Sequence, residues 1–73
     1  MGKRSLLKDN YNLLFTSAEV SDEEIIVLTK YVDHGWSEKG ISERLQMPLY
    51  RVRKCLGKLS YLVEKLTSGN HLQ

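Results

Sequence analysis

The sequence predicts an all-α fold, a single small domain of about four helices that includes a helix-turn-helix and ends in a long carboxyl-terminal helix. Three observations carry this. Aliphatic residues recur at intervals of three and four, Pro48 is the only proline in 73 residues, and serines stand just ahead of acidic, helix-forming stretches, as helix caps do. A chain of this length with 41% hydrophobic content can fill one modest core and has no room for a large catalytic cleft.

From the amino terminus, Leu6, Leu7, Asn10, Leu13, Leu14 and Phe15 space out as a helix over residues 5–17, with residues 1–4 frayed ahead of it. Ser21 followed by Asp22, Glu23 and Glu24 is a capping box, with Val20 and Ile25 at the positions of a hydrophobic staple. Three carboxylates at the positive end of the helix dipole reinforce that start. Ile25, Leu28 and Val32 then supply an inner face, with Ile26 and Thr29 beside it, and Gly35 offers a left-handed stop. Ser37 caps the next helix, Trp36 staples onto Ile41, and Ile41 and Leu45 point inward until Gln46 and Met47. Pro48 suits the first turn of the last helix, where its fixed φ is already helical and no N–H is needed. Leu49, Val52, Leu56, Leu59, Val63 and Leu66, separated by 3, 4, 3, 4 and 3 residues, form a heptad seam. Thr67 to Asn70 end that helix, and residues 71–73 fray.

Two helices joined by a short turn, the second starting at Pro48, make a helix-turn-helix pattern. With Glu38 as the first residue of the unit, Ile41 and Leu45 are the buried positions of its first helix. Ser42 is the small residue at the crossing, Met47 packs the turn, and Val52 and Leu56 anchor the second helix. The opposite face of that second helix holds Tyr50, Arg51, Lys54, Gly57, Lys58, Tyr61 and Lys65, with Arg53 at its edge. This face is basic and acid-poor, as a helix entering the major groove must be. The charge is also unevenly placed: residues 1–36 carry four basic and six acidic side chains, residues 37–73 seven basic and three acidic.

The stretch Ser21 to Leu59, which includes the Gly35-Trp36-Ser37 turn, I-S-E-R-L at residues 41–45 and V-R-K-C-L at residues 52–56, resembles the helix-turn-helix module of LuxR/GerE-type regulators. More loosely it is similar to region 4 of bacterial sigma factors. The resemblance covers a little over half the chain. It implies a transcription regulator whose last motif helix lies in the major groove of double-stranded DNA, with Tyr50, Arg51, Arg53 and Lys54 at positions where that family contacts DNA. On chemistry, Arg51 and Arg53 suit guanine edges or phosphates, while Lys54 and Lys58 suit phosphates.

The heptad seam admits two explanations, packing inside one subunit or pairing with a twin. Val52 and Leu56 are taken by the motif, which leaves Leu59, Leu62, Val63 and Leu66, in an extension over 59–67, for a second copy. A homodimer is expected, because a small domain gains core by pairing and two-fold operators favour twin readers. The rival expectation, from another class, is a helical protein-interaction module, an antirepressor or an inhibitor that binds RNA polymerase or a regulator. Asp22 to Glu24 and the Pro48-Leu49-Tyr50 start favour it.

No enzyme is expected, since no nucleophile has an identifiable base and capping explains the clustered carboxylates. No cofactor or metal is expected either. Cys55 is the lone cysteine, and His34 and His71 lack partners at ligand spacing. With no secretory signal in Met1 to Lys8 and no apolar run near the roughly 18 to 20 residues of a membrane span, a cytoplasmic protein without membrane contact is expected.

Overall fold

The computed structural model describes residues 2–68, so the stop expected at Gly69 and Asn70 and the fraying expected at 71–73 lie outside the described residues. The fold is all-α, with five helices among the described residues, in chain order α1 (Lys3–Asp9), α2 (Tyr11–Phe15), α3 (Asp22–Val32), α4 (Glu38–Leu45) and α5 (Leu49–Ser68). No strand occurs among the described residues.

The expected amino-terminal helix over 5–17 is a correction. It starts earlier, at Lys3, and is broken at Asn10, which has φ −117° and ψ 23° and ends α1 while opening α2. The cause is local. The Asn10 amide donates to the Leu6 carbonyl at 2.9 Å, so the side chain holds the final turn of α1 and the backbone turns out of the helix there. The break keeps Leu7 and Leu14 both fully buried.

The capping box at α3 is present in full: the Ser21 N–H donates to the Glu24 carboxylate at 2.9 Å and the Glu24 N–H to the Ser21 hydroxyl at 3.3 Å. α3 ends at Val32 with Asp33 as its cap; Gly35, two residues beyond the cap, takes φ +71°, a backbone region that suits glycine, and lets the Trp36 N–H reach back to the Lys30 carbonyl at 3.1 Å. Arg4 secures the same corner from α1, donating to the carbonyls of Tyr31 and Trp36 while its guanidinium lies 4.0 Å from the centre of the Tyr31 ring. Ser37 caps α4 by accepting from the Gly40 N–H at 3.0 Å.

All four shorter helices pack on α5. Its inner stripe is wider than the heptad seam: Val52, Cys55, Leu56, Leu59, Leu62 and Val63 are buried together with Leu7, Leu14, Val27, Leu28, Tyr31 and Ile41 in one cluster. This corrects the assignment of Leu59, Leu62 and Val63 to a twin subunit. They are buried within their own chain, at 0%, 3% and 1% exposure, and Leu66 is half-buried. The amino-terminal helices, which supply Leu7 and Leu14, fill the space that a second copy was expected to fill.

Candidate nucleic-acid interface

The turn between α4 and α5 consists of Gln46, Met47 and Pro48. Gln46 takes a left-handed conformation, φ 56° and ψ 44°, at the helix end where glycine or asparagine is the usual occupant. Ser42 closes the turn twice. Its carbonyl accepts from the Met47 N–H at 3.0 Å, and its hydroxyl donates to the Met47 carbonyl at 2.6 Å. The Pro48 carbonyl then accepts from the N–H groups of Arg51 and Val52 and starts α5.

With Ile41, Val52 and Leu56 fully buried, and Leu45 and Met47 packed against the same core, the rotation of α5 about its axis is set. Its outward face follows from the helical period. Tyr50 is 72% exposed, and Arg51, Arg53, Lys54, Gly57, Lys58 and Tyr61 are exposed with it. All five residues predicted to contact DNA, Tyr50, Arg51, Arg53, Lys54 and Lys58, are therefore on the solvent side of the helix after the turn.

What the sequence did not reveal is that this face brings its own counter-charges. Arg51 pairs with Glu23 of α3 at 2.8 Å, and Arg53 with Glu38 of α4 at 3.1 Å. Lys58 is held most closely: its ammonium donates to the Glu24 carboxylate and to the Glu19 carbonyl, both at 3.0 Å, and the Glu24 side chain is only 14% exposed. Lys65 approaches Glu19 at 3.9 Å. Lys54 forms no ion pair among the described residues. These contacts divide the face. Lys58 serves chiefly as a clasp between α5 and the start of α3, whereas the pairs of Arg51 and Arg53 are exposed and of the kind worth about 0–1 kcal/mol, so either arginine can change partner at little cost. No signal in a single sequence identifies Glu23, Glu24 and Glu38 as these partners, because the pairs join residues 28, 34 and 15 positions apart.

Glu24 shows the clasp in its ionisation. Burial pushes its carboxyl upward, but the Ser21 backbone N–H, the Lys58 ammonium and the Ser21 hydroxyl together pull it further down, and the net effect is a pKa below the ordinary value of 4.5. Cys55 moves the other way. Burial first, then the charges of Glu23 and Glu24, raise its thiol above the usual value against the opposing pull of Arg51 and Lys58, so it is a protonated, poorly nucleophilic group at neutral pH. It lines a shallow cleft of about 350 Å³ with Ser21, Glu23, Glu24, Tyr50, Arg51, Lys54 and Lys58.

Trp36 is half-buried against the core, with the Arg44 guanidinium 4.4 Å and the Lys30 ammonium 5.1 Å from its ring centre. It packs the corner between α3 and α4. A different set of apolar side chains is turned outward: Leu13 and Phe15 of α2 and Ile26 of α3 are exposed, although the spacing puts Ile26 beside the inner face of its helix. Among the described residues no cluster of His, Cys, Asp and Glu could hold a metal ion, and no helix is long and apolar enough to cross a membrane.

No protein-family model, no curated protein and no solved structure matches the chain.

Proposed function

We propose that this protein is a small, cytoplasmic, sequence-specific DNA-binding regulator of transcription that inserts the first half of α5 into the major groove. One observation carries the reading: Tyr50, Arg51, Arg53 and Lys54 stand exposed on the outer side of the helix that follows a three-residue turn, while Val52 and Leu56 hold the inner side. A helix so placed offers its first turns to base edges, and the lysines beside them to phosphates. The likeness of Ser21 to Leu59 to LuxR/GerE-type modules supports the same assignment. Regulation is by occupancy, either blocking RNA polymerase or touching it.

The test is affinity for duplex DNA as a function of salt, followed by selection of bound genomic fragments. Binding to random duplex weakens steeply as salt rises, because each neutralised phosphate releases counterions. In the selected fragment, the Arg51→Ala/Arg53→Ala double variant loses the gel shift and keeps a helical circular dichroism spectrum. Undiminished affinity in that variant removes both arginines from the mechanism.

A second reading, a helical module that grips an antirepressor target, RNA polymerase or a regulator, is favoured by a specific feature. Three of the five face residues are already paired to carboxylates of the same chain, and two exposed tyrosines, Tyr50 and Tyr61, lie among them. Mixed charge around aromatic residues suits a protein partner. Under this reading random duplex is not bound even at low salt, and a host protein co-purifies.

A further inference from the structure

One carboxylate beside the face gathers cations from two different helices. Glu38, the first residue of α4, places Oε1 3.1 Å from Arg53 Nε on α5 and Oε2 3.7 Å from Lys3 Nζ on α1. Lys3 lies in the amino-terminal segment, outside the helix-turn-helix and outside the stretch that carries the family likeness. The fold alone brings it to the edge of α5.

The chemistry of this arrangement is that of an anion site filled by the protein's own carboxylate. Two oxygens of one acidic group each face a separate cation, which is also how two cations share the non-bridging oxygens of a phosphodiester. Arg53 meets Glu38 through Nε, and its side chain is 63% exposed, which leaves the outer N–H groups of the guanidinium available to a second oxygen. The Lys3 side chain is 39% exposed. Neither contact is deep enough to resist exchange. A helix in the major groove is flanked on each side by a phosphate ridge, and Arg53 is at the edge of the face, where such a ridge runs.

We propose that Lys3 and Arg53 form a site for a backbone phosphate of duplex DNA, occupied by the Glu38 carboxylate in the free protein and vacated when that side chain swings aside. The amino-terminal helix thereby joins the DNA-binding surface and extends it beyond the helix-turn-helix. This rests on the DNA-binding reading above. Glu38 then acts as a built-in competitor that weakens binding to every sequence equally.

The experiment compares wild type, Lys3→Gln, Glu38→Gln and Lys54→Gln by fluorescence anisotropy on a short random-sequence duplex across a salt series. Lys3 is exposed and Glu38 half-buried, and circular dichroism checks that each variant stays helical. Lys3→Gln is expected to lower the slope of log affinity against log salt by about 0.9, the value of one phosphate contact, and to weaken binding roughly eightfold at about 0.1 M salt. Glu38→Gln is expected to tighten binding at the same salt. If Lys54→Gln weakens binding while Lys3→Gln leaves both slope and affinity unchanged, the phosphate site is overturned and the recognition face survives. Weaker binding by Glu38→Gln also overturns it, because the carboxylate would then be supporting Arg53 and not competing with the phosphate. A wild type with no salt-dependent affinity overturns the DNA reading itself, and this inference with it.

Discussion

The two halves of α5 share one helix and one spacing of apolar residues, yet they do different work. In the first half, Val52, Cys55 and Leu56 are buried on one side, and Tyr50, Arg51, Arg53, Lys54 and Lys58 stand open on the other. In the second half the buried set is Leu59, Leu62 and Val63, in the same cluster as Leu7 and Leu14 from the two amino-terminal helices. A heptad seam therefore specifies that a stripe must be covered without saying by what. Here the cover for its later positions comes from the same chain.

The sharpest way to break this comparison is Leu59→Ala. If the second half is core, removing a fully buried leucine costs about 2–5 kcal/mol, and the unfolding midpoint in urea does not depend on protein concentration. A midpoint that rises with concentration would return these leucines to a subunit interface. By contrast, Tyr50→Ala in the exposed half should shift stability by no more than about 0.5 kcal/mol.

The same contrast explains what could be read in advance. Local signals translated directly: the Ser21–Glu24 box and the Ser37 cap are each set within a few residues, and the structure has both; Gly35 is left-handed as expected, but the helix has already ended at Val32. The break at Asn10 is also local, but an asparagine inside an apolar period is a weak signal against the leucines around it. Gln46 in a left-handed conformation carries no mark in its residue type. The counter-charges on the face were the least accessible of all. Asp22, Glu23 and Glu24 suit the positive end of a helix dipole, which accounts for their position but leaves unsaid that Glu23 and Glu24 also reach across to Arg51 and Lys58. Those pairs exist only once α3 has been laid against α5.

The clasp between the two helices yields a smaller effect, with a defined pH dependence. Because the Glu24 carboxyl has a pKa below its ordinary 4.5, the stabilisation from its charge is fully present above that value and is lost as pH falls through the lowered folded-state value. Glu24→Gln isolates the charge, since glutamine can still complete a capping box. The variant is expected to lose roughly 1 kcal/mol at neutral pH, the upper end for a surface pair, and to have a flatter acid limb than wild type in thermal melts between neutral and acid pH. An unchanged acid limb would mean that the Glu24 charge contributes nothing, either through its bond from the Ser21 N–H or through its contact with Lys58.

The last effect expected is a gain, and it separates folding from function on the exposed half. Gly57 lies inside α5, where glycine costs close to 1 kcal/mol relative to alanine, and a Cβ there would meet nothing within 4 Å. Nothing in the packing requires it, so Gly57→Ala is expected to stabilise the protein by about 0.4–1 kcal/mol in urea denaturation. A loss of stability would place an unseen constraint on that turn of the helix. The residue also sits on the outward face with Lys54, Lys58 and Tyr61, where the absence of a side chain lets a ligand come close to the backbone. If the stabilised variant also binds duplex DNA less tightly, the glycine has been kept for that close approach, and the first half of α5 has traded helix stability for contact, as its buried second half has no reason to do.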